Sequence, residues 1–356
     1  MVFNLFKKKK NKSQHSTLTI KSIIRETSDT ITIEFEQPEE GDLKYKAGQY
    51  LTCICEVAGK EERRCYSLNT SPYLQEAPAI TIKKDPEGRV SNYLFEKAKP
   101  GEKIKVLMPE GNFTTEFSSS NRRHFVMVAG GSGITPLMSI IISALEKEPQ
   151  SLVTLVYGNR NQSSIIFKER LEKLSREKEG RLKVVHVLSQ PESDWQGLKG
   201  RITEDTIKQT LSESPSFDTT DYFICGPGGM MAVVEKYLSS IGVTQDNIHK
   251  ERFVIEEKKK STGSAEPSEV TLLMGNEEYQ FTVKPGRTIL ESALDNDIDM
   301  PYSCQSGICS TCRCLKLEGE VKMDEDEGLS DQEIADGYVL VCVGHPLTPK
   351  VKLKHE

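Results

Sequence analysis

The 356 residues predict a chain of three modules: a small antiparallel β-barrel, a parallel α/β sheet with crossover helices, and a compact C-terminal module built round a cysteine loop. Three observations predict this. Residues 18–118 read as short alternating strands with little helix, residues 119–255 alternate strand-like and helical runs, and four late cysteines stand at a metal-ligand spacing. A chain of this length exceeds one ordinary core, so several domains are expected.

Composition is that of a soluble globular protein, with 36% hydrophobic and 28% charged residues. The longest weakly charged stretch, Phe125 to Leu145, is broken by Gly130-Gly131-Ser132-Gly133 and by Pro136, which suits strand, turn and helix rather than a membrane span. The start, Met1 to Phe6 followed by Lys7 to Lys10, lacks the apolar core of a secretory signal. Residues 1–17 are therefore expected to be a disordered basic tail, with at most weak attachment to an anionic membrane surface. Nine cysteines without a secretory signal point to a reducing compartment, and the cytoplasm is the expected location. From Glu269 to Glu356 there are 8 Lys and Arg against 17 Asp and Glu, a charge of −9 that leaves +3 for the first 268 residues. Opposite-signed modules can dock on each other, although an acidic run such as Asp324 to Glu327 also serves as a solvated face. The basic stretches lie in tails and linkers without interleaved aromatics and give no case for nucleic acid.

In the first module, Leu18 to Ile23, Thr30 to Phe35, Gln49 to Cys55 and Ala79 to Lys83 alternate as barrel strands do. Arg64-Cys65-Tyr66-Ser67-Leu68 follows a strand and precedes a turn at Ser71-Pro72. An isoalloxazine needs a flat partner, donors at its polar edge and a cation near its phosphates, which Tyr66, Ser67 and Arg64 can supply from one extended segment. Gly88-Arg89-Val90-Ser91 then opens a short helix at Asn92 to Phe95 whose N-terminal amides can hold a phosphate. An ordinary strand end and a capped helix would look the same if either motif stood alone.

In the second module, Phe125 to Ala129, Leu152 to Tyr157, Leu182 to Leu188 and Tyr222 to Cys225 read as parallel strands. The first runs into Gly130-Gly131-Ser132-Gly133-Ile134-Thr135-Pro136, where glycines let the backbone approach a pyrophosphate and a helix N-terminus favours its charge. A second glycine turn, Gly226-Pro227-Gly228-Gly229, follows Cys225. A cysteine there is commonly a small core residue, but the C-terminal end of a parallel strand is where such sheets bind ligands. After Tyr157 no acid stands ready for ribose hydroxyls; Arg160 with Ser163 or Ser164 can instead hold a 2′-phosphate, so the residues lean to NADPH over NADH.

Glu256 to Ser268 contains almost nothing that could be buried and is expected to be a flexible linker, leaving 269–356 as the third module. A hairpin-like pair, Val270 to Met274 and Tyr279 to Val283, precedes a helix around Ile289 to Asn296 and then the cysteines. Cys304, Cys309, Cys312 and Cys342 read C-x4-C-x2-C with a distant fourth thiolate, the plant-type [2Fe–2S] pattern. The small residues between them let backbone amides wrap the sulfurs, with Gly307 allowing close approach. Structural zinc also takes four thiolates but usually pairs them as two C-x2-C knuckles. Cys314 reads as an ordinary strand residue.

In this order the pieces resemble the ferredoxin–NADP reductase superfamily, in the version with a plant-type ferredoxin domain fused behind the reductase. R-x-Y-S lies at Arg64 to Ser67, G-x-x-S at Gly88 to Ser91, G-G-x-G-I-T-P at Gly130 to Pro136, C-G-P at Cys225 to Pro227 and E-x-F at Glu251 to Phe253, followed by the cysteines. The similarity reaches to reductases of phenylacetyl-CoA epoxidase, ketosteroid oxygenase and other multicomponent oxygenases.

The resemblance implies an FAD-binding barrel at 18–118, an NAD(P)-binding α/β domain at 119–255 and a β-grasp [2Fe–2S] ferredoxin domain at 269–356. Arg64, Tyr66 and Ser67 would hold the flavin, with Gly88 and Ser91 on its phosphates and FAD favoured over FMN. Gly131, Gly133, Thr135, Arg160 and Gly226 would receive the nicotinamide nucleotide. Ser67, Cys225 and Glu251 would sit at the hydride-transfer site, and Phe253 would cover a flavin face. Cys304, Cys309, Cys312 and Cys342 would ligate iron. The implied enzyme passes electrons from NADPH or NADH through FAD and the cluster to an oxygenase, epoxidase or desaturase. The alternatives are a stand-alone NAD(P)H diaphorase acting on flavins or quinones, and a non-redox zinc or ferredoxin-like interaction module.

Overall fold

A computed structural model describes residues 15–38, 41–212, 217, 219–253, 263–326 and 328–355. The tail expected at 1–17 lies outside the described residues up to position 14, and the expected linker does so at 256–262.

The first module holds β1 (His15–Thr27), β2 (Thr30–Phe35), β3 (Tyr50–Val57), β4 (Lys60–Ser67), β5 (Ala79–Lys83), α1 (Arg89–Lys97) and β6 (Lys103–Glu110). Its strands are ordered β4-β3-β6-β1-β2-β5, every pair antiparallel, and a bridge from Leu68 to Ile80 joins the two ends into a barrel. Closure matters because an unpaired sheet edge invites association. The barrel begins at His15, which pairs with Leu107, three residues before the expected boundary. Arg64 to Ser67 do not follow a strand, as the sequence suggested, but form the end of β4 itself. That strand reads Lys-Glu-Glu-Arg-Arg-Cys-Tyr-Ser and hides its pattern because one of its faces lies toward another module. Helix α1 is also longer than expected, and its Val90 and Leu94 plug the barrel core.

The β3–β4 hairpin fixes the register that the site depends on. Ala58 and Gly59 both take positive φ, 52° and 74°, which gives a two-residue turn whose twist suits antiparallel strands. Tyr50 is thereby set opposite Ser67, Leu51 opposite Tyr66 and Thr52 opposite Cys65. Successive residues of a strand point to opposite faces, so Arg64 and Tyr66 share one face of β4 while Arg63, Cys65 and Ser67 share the other.

The second module holds β7 (His124–Gly130), α2 (Ile134–Lys147), β8 (Leu152–Asn159), α3 (Lys168–Glu177), β9 (Leu182–Leu188), β10 (Leu198–Lys199), α4 (Glu204–Ser212), β11 (Thr220–Cys225), α5 (Gly228–Ser240) and β12 (Ile248–Glu251). The sheet runs β10-β9-β8-β7-β11-β12 and is parallel throughout. Helices α2 and α3 pack on one face with Phe125, Met127 and Phe223, and α4 and α5 on the other with Val126, Val128 and Ile224. All of β7 is buried, as a strand covered on both faces must be. Strand order reverses between β7 and β11, so the carboxyl ends of these two strands open a crevice.

Arg123 ties this sheet to the barrel. It donates to Glu148 Oε1 at 2.7 Å, to Asp221 Oδ2 at 2.8 Å and to the carbonyl of Glu116 at 2.7 Å, next to the chain that leaves the barrel. With Glu148 buried, removing either charge would cost about 3–5 kcal/mol.

The third module holds β13 (Ser268–Met274), β14 (Glu277–Val283), α6 (Ile289–Asp295), β15 (Arg313–Glu318), β16 (Val321–Met323), α7 (Asp331–Ala335), β17 (Tyr338–Leu340), β18 (Gly344–Pro346) and β19 (Lys350–His355). Its main sheet runs β14-β13-β19-β15-β17, with β13 and β19 parallel and the other pairs antiparallel. The sheet grips α6, whose Thr288 and Glu291 form a reciprocal cap. Ser268, expected in the linker, is the first residue of β13, and the amide of Ser264 donates to Pro346. Cys314 lies on β15 inside the core.

Candidate functional site

The three modules meet round one cavity of about 450 Å³. The barrel contributes Arg64, Cys65, Tyr66, Ser67, Thr81, Lys83, Gly88 and Ser91; the α/β module contributes Ser132, Thr135, Glu251 and Phe253; the third module contributes Cys304, Ser306, Ile308 and Cys309. Residues more than two hundred positions apart thus share one wall.

On the barrel side, the end of β4 presents Tyr66, packed against the core, beside exposed Arg64. Below them Gly88 stands as N-cap of α1, with Ser91 buried in its first turn. A Cβ at Gly88 would lie 2.3 Å from Ser91 Oγ, so a side chain there would close the approach to the helix amides. Nine residues of helix whose N-terminal amides no side chain caps, a basic Arg64 and Lys83 and a flat Tyr66 fit an isoalloxazine with its phosphates.

On the α/β side, the two glycine turns pack against each other. A Cβ on Gly133 would come within 2.1 Å of the Cys225 carbonyl, and one on Gly226 within 2.8 Å of the Gly130 amide. Gly131 takes φ 53°, and its carbonyl accepts the hydroxyl of Tyr157 at 2.9 Å. Thr135 donates to Ser132 and is buried at the start of α2. Cys225 sits at the crevice, but its thiol is fully buried in the core with Phe223 and does not line the cavity. Burial pushes that thiol well up, and neighbouring Glu251 adds to the effect.

Strand β12, which sequence reading did not anticipate, sets Glu251 opposite Cys225. Burial pushes the Glu251 carboxyl up to about 8, opposed by a hydrogen bond from Ser67 across the module boundary. Its Oε2 is buried without a partner, a polar atom aimed into a site built for something polar. Phe253 is 37% exposed at the cavity mouth. Arg160 lies apart from the cavity, exposed beyond the end of β8, and Ser163 and Ser164 are engaged by Asn161 in a short capped turn.

In the third module the four cysteines come together. Cys304 lies within hydrogen-bonding reach of Cys309 and Cys342, and those contacts hold its thiol far below the usual range. Cys309 is pushed up by Cys304 and by Cys65 of the barrel, and Cys342 by Cys304 and Cys312. The amide of Ser306 donates to Cys304 Sγ at 3.4 Å. Gln305 and Gly307 both take positive φ, and a Cβ on Gly307 would meet Glu325 at 2.8 Å, so the loop is wound tightly round the sulfurs. Among the described residues no three Cys, His, Asp or Glu side chains surround a single ion position. The thiols are instead linked pairwise, a soft donor set with amide donors that fits two bridged irons.

Sequence reading missed the residues that join the modules. Arg63 Nη1 donates to the Tyr302 carbonyl at 3.2 Å, and Thr52 Oγ1 donates to Ser303 Oγ at 2.9 Å. The period-2 alternation of β4 was the available signal, since Arg63 and Cys65 occupy the face opposite Arg64 and Tyr66.

Three known families match in succession: an oxidoreductase FAD-binding domain at 17–115, an oxidoreductase NAD-binding domain at 127–236 and a 2Fe-2S iron-sulfur cluster binding domain at 274–347. One component of the 1,2-phenylacetyl-CoA epoxidase of Escherichia coli (strain K12) is 34% identical over 342 residues, covering 94% of this chain and 96% of its own. The ferredoxin reductase component of 3-ketosteroid-9-alpha-monooxygenase from Rhodococcus rhodochrous is 34% identical over 357 residues, covering 96% and 97%. Among solved structures, phthalate dioxygenase reductase shares the fold with a TM-score of 0.60 at 24% identity, over 96% of this chain and 98% of that one. The chain is an NAD(P)H-dependent flavin and iron–sulfur oxidoreductase, and it belongs to the ferredoxin–NADP reductase superfamily, among the members that carry a [2Fe–2S] ferredoxin domain behind the reductase.

Proposed function

We propose that this protein is the reductase of a multicomponent oxygenase system, drawing electrons from NAD(P)H and delivering them to a separate oxygenase or epoxidase protein. The observation that carries the reading is the single cavity walled by Tyr66, Glu251 and Cys309, one residue from each module. When bound, FAD takes electrons in pairs from reduced nicotinamide and the [2Fe–2S] cluster passes them on singly; the protein supplies position and environment.

In this reading Arg64, Tyr66 and Ser67 orient the flavin, and Gly88 and Ser91 seat its phosphates. Gly131, Gly133, Thr135 and Gly226 let the nicotinamide nucleotide approach the crevice, and exposed Arg160 meets a 2′-phosphate, which favours NADPH. Glu251, paired with Cys225 and bonded to Ser67, holds a proton beside the reacting ring at neutral pH, and Phe253 shields the mouth from water. Cys304, Cys309, Cys312 and Cys342 ligate the irons.

Reconstitution tests the partner. The purified protein, mixed with a di-iron or Rieske oxygenase component from its own genome, should support NAD(P)H-dependent substrate oxidation. Reduction of cytochrome c with no transfer to any such component would favour a stand-alone diaphorase.

A further inference from the structure

The two residues before Cys304 pack against the barrel, Ser303 buried and Tyr302 half-buried. Ser303 is 1% exposed and bonds both Thr52 and Cys65, the latter through Cys65 Sγ at 2.8 Å. Tyr302 lies under Arg63, whose guanidinium stands 4.0 Å from the ring centroid while donating to the Tyr302 carbonyl. Tyr50 OH lies 3.4 Å from Thr311, which adjoins Cys312. The ferredoxin loop is therefore held on both flanks by the outward face of β3 and β4, whose opposite face carries Tyr66 and Arg64.

The charge arrangement of Arg63 is unusual for an interface anchor. Its side chain is 7% exposed, yet its counter-ion is Glu61 on the same strand, at 2.9 Å from Nε and 2.7 Å from Nη2. Across the boundary it offers only a ring contact and one bond to a carbonyl. An ion pair spanning the boundary would add a charge-assisted bond that must be broken each time the modules part, a stronger tie than a ring contact and one neutral acceptor. Arg63 keeps its carboxylate in either state, so the contact is built to open and close. Contacts of this kind fix geometry without locking it.

We propose that Arg63 and Tyr302 form a reversible latch that seats the cluster loop against the flavin-binding strand and sets the fraction of molecules in the electron-transferring arrangement. The inference rests on the electron route proposed above and names two positioning residues for it. With the latch closed, the cysteine loop and the flavin-binding strand end line one cavity, with Cys309 and Tyr66 both in its wall. With it open, the ferredoxin module presents the same loop to a partner.

The test uses the full-length, cofactor-loaded protein and its variants Arg63→Met, Tyr302→Leu and Tyr302→Phe, with flavin and iron content measured for each. In stopped-flow mixing with NADPH, Arg63→Met and Tyr302→Leu should keep the flavin-reduction rate and reduction of ferricyanide. Cluster bleaching and cytochrome c reduction should fall roughly tenfold, the population change expected for loss of a desolvated cation–π contact. Tyr302→Phe keeps the ring and the backbone carbonyl and should behave as the parent. Small-angle scattering should show a larger radius of gyration for the first two variants and not the third. Unchanged scattering and unchanged cluster bleaching in Arg63→Met would overturn the latch. If Tyr302→Leu loses iron, Arg63→Met, which lies outside the ferredoxin module, decides the matter. Loss of ferricyanide reduction in the parent protein would instead count against the electron route itself.

Discussion

The carboxylate of Glu251 and the hydroxyl of Ser67 meet across the boundary between the α/β module and the barrel, each at the C-terminal end of a strand. Neither strand end alone makes a site; their meeting creates one buried acid beside the flavin-binding segment.

Because burial raises the Glu251 carboxyl from 4.5 to about 8, the folded protein holds a proton there that the unfolded chain releases. The stability this contributes is complete below pH 4.5 and is lost as pH rises through about 8. Ionising the acid in place costs on the order of 5 kcal/mol at full burial, less where solvent reaches it. Glu251→Gln removes that cost. Thermal melts between pH 5 and 9 should show the variant gaining on the parent as pH rises, with the difference levelling off above about pH 8. A constant difference across the range would show that Glu251 is ionised throughout.

Cys309→Ser should abolish iron binding while leaving flavin content unchanged, because the thiol belongs to the third module and Tyr66 and Ser91 to the first. NADPH should still reduce ferricyanide, and cytochrome c reduction should collapse. Simultaneous loss of flavin, read from absorbance of the purified variant, would mean that the cysteine loop, and not the barrel alone, holds the flavin in the cavity.

Gly133→Ala tests the packing of the two glycine turns. The added carbon would meet the Cys225 carbonyl at 2.1 Å, backbone against backbone, with no flexible end to yield. Overpacking of this kind costs about 1–3 kcal/mol. A lower melting temperature should accompany a raised KM for the nicotinamide nucleotide, with FAD retained.

Arg160→Ser addresses the choice of nucleotide. A charge-assisted bond to a 2′-phosphate is worth about 1.5–3 kcal/mol, so KM for NADPH should rise roughly tenfold or more while KM for NADH stays put. Equal, small changes in both would assign Arg160 to the solvent-facing surface alone.

The sequence made the parallel strands legible because β7, β8 and β9 are apolar runs, and the cysteine loop legible because metal ligation dictates spacing. Strand β4 was obscured: Lys60 to Arg64 are all charged, and the burial of Arg63 comes from a module 239 residues away in the chain. Strand β12, Ile-His-Lys-Glu, is too short and polar to announce itself and exists through its pairing with β11. For Cys225 the sequence located the crevice but not the direction of the thiol, which the packing of Phe223 and α2 decides. The Arg63–Tyr302 contact is tertiary in origin and has no local pattern.

The most direct measurement mixes the protein anaerobically with one equivalent of NADPH and follows flavin absorbance together with the electron paramagnetic resonance of the cluster. The flavin should bleach first and the reduced-cluster signal should follow at a rate independent of protein concentration, because both groups are held by one chain round one cavity. A cluster that stays oxidised, or one whose reduction accelerates with protein concentration, would contradict the account.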